Sequence, residues 1–179
     1  YGDSVLRRIN HDDDPENVTS QEIDDGGAVI DAALGEASMN EPGTLARFLN
    51  WARSVYPSQS FAVVLWDHGN DVLGGLCIDG GQWLGTAEAC GVLRDFGRDR
   101  PVDLVGLDLC WGASLEMAAE LVGSARVFVA SELEEPDTGW EYTSVLEALV
   151  ADPNIGPEAF GVAVVASYRD KYSWIGYGS

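Results

Sequence analysis

A chain of 179 residues, 46% of them hydrophobic, carries enough apolar side chain for one compact core, which excludes a disordered protein. Its 30 acidic residues against 10 basic ones give a net charge of −20, which excludes nucleic acid and anionic membrane surfaces as partners and suits cationic ligands or high salt. No apolar stretch approaches the roughly 20 residues of a membrane helix. No signal peptide is visible, and the abrupt start at Tyr1-Gly2-Asp3 leads us to expect a piece of a longer precursor.

In chain order, a short strand is expected over 5–9. Residues 10–25 form the most acidic stretch and read as a surface loop leading into a helix over 29–34. The start signal Glu41-Pro42-Gly43-Thr44 precedes Leu45, Phe48, Leu49 and Ala52, which share one helical face. The run 61–66 is apolar without alternation, the pattern of a parallel strand covered on both faces. A loop is expected over 70–85, then a helix after Thr86 with Ala89, Leu93 and Phe96 on one face. Further strands are expected over 102–107 and 126–130. Helices are expected over 112–122, apolar nearly all round and so buried, and over 142–150 and 158–168. Strands alternating with helices imply a single α/β domain, residues 1–179, with a mostly parallel sheet.

Open parallel sheets bind their ligands beyond the carboxyl ends of the strands. The first main strand ends at Asp67-His68-Gly69, the second at "LDLCWGAS" with Asp108 and Cys110, the third at "ASELEEPDTGW" with Ser131, Glu132, Glu134 and Glu135. A histidine, a cysteine and a set of carboxylates should therefore meet at one edge. Cysteine with histidine is a nucleophile with its acid/base partner, because only the thiolate attacks well and an imidazole can take up or return the proton. Cys110 stands just before the expected helix, whose amino end favours a thiolate. Gly69 would let backbone approach a substrate, and its N–H could help to hold an oxyanion.

Blander readings compete with each of these. Cys110 could be buried filler, as Cys77 and Cys90 read, and His68 a hydrogen-bonded structural residue. Asp108 weighs equally as a ligand and as a cap of the helix at 112. The three cysteines show no Cys-x-x-Cys spacing, and two histidines, His11 and His68, are too few for a multi-histidine metal centre. Asp12-Asp13-Asp14 and Asp24-Asp25 could collect calcium, but they fit no EF-hand and read rather as solvated acids.

The stretches "GEASMNEPGTLARFLNWA", "VVLWDHG", "VDLVGLDLCWGASLEMAAEL" and "VFVASELEEPDTGWEYTSVLEALVADP" together resemble the clostripain family of cysteine peptidases. The resemblance runs in order from about Arg7 to Tyr172. It implies a caspase-like three-layer α/β sandwich and a His/Cys dyad without an obligatory third member. By position, His68 matches the catalytic histidine and Cys110 the nucleophile, with the N–H groups of Gly69 and Cys110 at the oxyanion. Asp108 matches an acid that lines the primary pocket and selects arginine or lysine, with Glu132 and Glu135 expected to add negative potential there. The implied substrate is a peptide or protein with a basic residue before the scissile bond. No cofactor is implied for the chemistry, although calcium dependence and secretion occur in the family. Asn70, Asp71 and Val72 follow His68-Gly69 where relatives carry glycines and an aromatic, and residues 70–85 lack any lysine or arginine for self-cleavage. These departures leave open a caspase-like binding or assembly domain with weak or no activity.

Overall fold

A computed structural model describes residues 6–10, 18–24, 27–35, 37–70 and 74–173. The first three strands, β1 (Leu6–Asn10), β2 (Val18–Asp24) and β3 (Gly27–Gly35), form an antiparallel sheet in the order β1-β2-β3. β1 is the expected strand shifted by one residue. Of the loop expected over 10–25, residues 18–24 form β2 instead and 11–17 and 25 lie outside the described residues; the helix expected over 29–34 is the strand β3. Asp24 pairs with Gly27 at the end of the β2–β3 ladder. Val18, Thr19, Ile23, Val29 and Ile30 are β-branched and favour extended backbone on either side. The charges invite a loop reading, but the β-branched residues decide the local structure.

The second sheet is parallel throughout, in the order β4 (Ala62–Trp66), β7 (Val102–Asp108), β8 (Ala125–Ala130). All seven residues of the middle strand β7 are buried, Asp103 and Asp108 included, as befits a strand covered on both faces. On one face Val63, Val105 and Leu107 pack with Leu49 of α1 (Pro42–Val55), Leu93 of α2 (Thr86–Phe96) and Met117 of α3 (Leu115–Leu121). On the other, Leu104 packs with Trp140, Val145 of α4 (Tyr142–Ala151) and Val164 of α5 (Pro157–Tyr172). The result is a three-layer α/β sandwich. Gly106 makes room for its second layer, since a Cβ there would come within 2.7 Å of the Trp140 indole. Burying a large side chain of this kind contributes about 1.5–3 kcal/mol.

Two further elements depart from expectation. Within 70–85 lies a hairpin, β5 (Leu76–Asp79) and β6 (Gln82–Leu84), whose Leu76 and Leu84 are buried. Its turn residues Gly80 and Gly81 both have positive φ, 54° and 76°, which the tight primed turns demand. The helix expected over 112–122 shrinks to α3. Ser114 caps it, its Oγ accepting from the Met117 N–H at 3.1 Å, and so ends the extended segment before it. Leu115 and Val122 are 81% and 80% exposed, so this helix is not buried all round.

Candidate active site

The parallel register of β4 and β7 sets Trp66 beside Asp108. Beyond the strand ends the chain runs two residues further on each side, to His68 and to Cys110. The Asp67 N–H donates to the Asp108 carbonyl at 3.4 Å, so the pairing continues past the strand ends. At Gly69 a Cβ would lie 1.9 Å from the Cys110 carbonyl oxygen. Only glycine permits that approach. The His68-Gly69 backbone thus lies against the Cys110 backbone at the carboxyl edge of the sheet.

The histidine segment is pinned from its other side by the β5 hairpin. The His68 carbonyl accepts from the Cys77 N–H at 3.1 Å, and the Asn70 N–H donates to the Gly75 carbonyl at 3.1 Å. Gly69 sits between these two bonds, opposite Leu76. The His68 N–H also donates to the Asp67 carboxylate, and the His68 side chain is exposed. Burial raises the Asp67 carboxyl above its ordinary range, against the opposing effect of that hydrogen bond.

Cys110 is half-buried, and its Sγ accepts from the Glu135 N–H at 3.3 Å. The loop after β8 runs alongside the cysteine. Trp111 N–H donates to the Leu133 carbonyl at 3.1 Å and Ala113 N–H to the Ser131 carbonyl at 2.8 Å. Trp111 holds φ at 60°, a conformation rare for a bulky residue and concentrated at functional sites. Helix α3 begins only at Leu115, so its amino end does not abut the sulfur as the sequence suggests. Cys77 and Cys90 are free thiols raised by burial to about 12 and about 11, which suits inert packing.

Asp108 is 2% exposed. Its Oδ2 accepts from the Trp140 N–H at 2.9 Å and from the Tyr142 hydroxyl at 2.8 Å, while Oδ1 is buried without a partner. Capping is done by Ser114, which removes the cap reading of Asp108. Of the three glutamates, Glu132 and Glu134 are exposed and make no hydrogen bond or ion pair among the described residues. Glu135 is half-buried against Asp108, and burial first, then that neighbouring carboxylate, pushes its carboxyl up to about 8. Tyr142 and Tyr168 are both raised by burial and by the same two carboxylates, Tyr168 to about 12.

Sequence reasoning missed several parts of this site. Gly139 closes over Asp108: with φ at 55°, a Cβ there would come within 2.7 Å of the carboxylate and 2.9 Å of the Trp66 indole nitrogen. Trp66 itself is 57% exposed. The end of α5 clasps this loop, Lys171 Nζ donating to the carbonyls of Thr138, Gly139 and Trp140 at 3.0, 3.0 and 3.2 Å, and Tyr172 donating to Gly139 at 2.6 Å. The available signals were a glycine before a tryptophan and a lone lysine in a lysine-poor chain. Neither says what the residue touches.

Among the described residues no group of three or more histidine, cysteine, aspartate or glutamate side chains is arranged to hold a metal. Asp12, Asp13, Asp14 and Asp25 lie outside the described residues, and the side chain of Asp24 is likewise not described. No helix among the described residues is long and apolar enough to cross a membrane.

The model of the clostripain family, peptidase C11, matches residues 5–178. No curated protein matches the chain. A secreted C11 cysteine protease from Bacteroides thetaiotaomicron, solved with an irreversible peptide inhibitor, superimposes with a TM-score of 0.79 at 23% identity, over 95% of this chain and 49% of that one. An inactive zymogen C11 protease from Parabacteroides distasonis gives 0.72 at 15% identity, over 96% of this chain and 48% of that one. At these identities the likeness establishes the fold, and the chain spans about half the length of these solved relatives.

Proposed function

Because the chain belongs to the clostripain family, we propose that it is a cysteine endopeptidase cleaving after arginine or lysine through His68 and Cys110. One observation carries this reading: the backbone contact between Gly69 and Cys110 sits beside a buried carboxylate oxygen, on Asp108, with no partner of its own. A buried carboxylate favours a cation, and a basic side chain is the cation a peptide offers. The Cys110 thiolate attacks the carbonyl carbon after the basic residue. Backbone N–H groups at Gly69 and Cys110 receive the oxyanion, and the position of Gly69 between two ladder bonds favours a free N–H there. His68 gives its proton to the leaving amine as the C–N bond breaks, leaving a thioester on Cys110. Water then attacks the thioester, His68 takes the proton, and the acid product leaves the regenerated thiolate.

The test compares arginyl and lysyl reporters with a neutral one, in the wild type and in Cys110→Ala. Hydrolysis confined to the basic reporters and abolished in the variant is the expected result. Equal turnover of all three would remove the basic preference. The rival reading, a caspase-like binding or assembly domain, makes alkylation of Cys110 slow at neutral pH, whereas a peptidase thiol reacts fast.

A further inference from the structure

Two buried side-chain oxygens lack a hydrogen-bond partner among the described residues, Asp108 Oδ1 and Glu135 Oε2, and they belong to neighbouring carboxyl groups. Resting on the basic-residue reading above, we propose that Glu135 determines specificity by sharing a proton with Asp108 before substrate binds and exchanging that proton for the guanidinium of an arginine side chain. Asp108 Oδ2 already accepts from Trp140 and Tyr142, which leaves Oδ1 as the acceptor still without a donor. Glu135 has less to hold its charge, and two adjacent carboxylates do not both ionise readily. A protonated Glu135 becomes the donor that the pair otherwise lacks.

The surroundings support this assignment. Asp108 at the end of β7, the half-buried Cys110 beyond it, Tyr142 of α4 and Tyr168 of α5 are the titratable groups around Glu135. The Trp140 side chain alone favours the charged form of Glu135. Lys171, the cation on α5 closest in sequence to this loop's clasp, spends its three protons on backbone carbonyls. No ion pair to Asp108 or Glu135 is found among the described residues.

A guanidinium does what the shared proton does and adds a second contact. Its planar fork of N–H groups can reach two acceptors at once, here Asp108 Oδ1 and Glu135 Oε2, whereas an ammonium is a compact point charge. Arginine is therefore preferred over lysine. As the guanidinium enters, the Glu135 proton leaves to solvent, so one positive charge replaces another and the pocket keeps its net charge.

The experiment uses butylguanidinium as a competitive inhibitor of arginyl-reporter hydrolysis from pH 6 to 9. This ligand carries the guanidinium without the reacting carbonyl, so its inhibition constant reports binding and not the chemical step. Binding must expel a proton below the Glu135 midpoint, so the constant should fall about 50-fold from pH 6 to 8 and about twofold beyond. Calorimetry in two buffers of different ionisation heat should count about one proton released near pH 6.5. Glu135→Gln, shaped like the protonated acid, should flatten the pH dependence, abolish proton release and narrow the preference for butylguanidinium over pentylammonium. An inhibition constant flat in pH, binding without proton release, or no binding at any pH overturns the proposal. Should Glu135→Gln fail to fold, the wild-type proton count decides alone. Failure of the basic-residue reading looks different, since arginyl and neutral reporters would then be cleaved alike.

Discussion

Strand β7 carries a buried aspartate at each end of its run, and the two live in opposite circumstances. Asp103, 7% exposed, accepts from the Phe61 N–H at 3.0 Å, from Arg100 at 3.0 Å and from Arg126 at 3.4 Å. Asp108, 2% exposed, receives two hydrogen bonds on one oxygen, has no ion pair among the described residues and leaves its other oxygen bare. Five residues apart, they lie roughly 17 Å from each other along the strand and point to opposite faces of the sheet. The fold neutralises one aspartate with two arginines and leaves the other short of a counter-charge. On the proposed function, the second is the one held for a cation that arrives from outside.

The same substitution at both ends is the sharpest way to break this contrast. Asp108→Asn should lower kcat/KM for arginyl reporters by about 10²–10³-fold, because the incoming cation loses its buried counter-charge. The melting temperature should stay level or rise, since an unpaired buried charge has gone. Asp103→Asn should do the reverse, costing about 1–3 kcal/mol of stability by denaturant unfolding while leaving the kinetics of the folded fraction alone. If both variants lose activity in proportion to stability, the two aspartates are equivalent and the contrast is empty.

A smaller effect separates the carboxylate from its setting. Tyr142→Phe removes one of the two donors that hold Asp108 Oδ2, and should raise KM for arginyl reporters about tenfold. Alkylation of Cys110 should be unchanged, which a general loosening of the site would not allow. The last effect bears on stability rather than turnover, and it is the pH dependence of the fold. The Glu135 carboxyl stands at about 8 in the folded protein, above the ordinary 4.5. The native state therefore holds this proton more tightly than the unfolded chain. Its stabilising contribution is complete below about pH 4.5 and is lost as pH rises to about 8. Thermal melts between pH 6 and 8 should decline in the wild type and decline less in Glu135→Gln.

How much of this was legible in the sequence depended on distance along the chain. Strands β4, β7 and β8 declared themselves by apolar runs that no other element explains, and the edge rule then delivered His68, Cys110 and Asp108 to one side. Glu135 was placed at that edge, but nothing local separated it from Glu132 and Glu134, which the structure leaves in solvent. Tyr142 and Gly139 meet Asp108 only because α4 folds back across β7, a tertiary event without a local pattern. The hairpin turn at 79–82 was readable, since a Gly-Gly pair asks for positive φ. The surrounding glycines, which suit loops equally well, hid it.

Lys171 has a consequence for anyone handling the protein. It is the chain's single lysine, and its ammonium holds the three carbonyls of the loop that carries Gly139 over Asp108. Amine-directed chemistry, whether a fluorophore, a biotin or a coupling resin, finds no other lysine side chain to modify. Acylating this nitrogen strips its charge and two of its three N–H donors, and so releases the loop from α5. A label meant as a passive handle would thus sit on the latch of the pocket, and labelled protein would report on a site already loosened. Tags are better placed through a terminus or through an engineered cysteine far from the carboxyl edge.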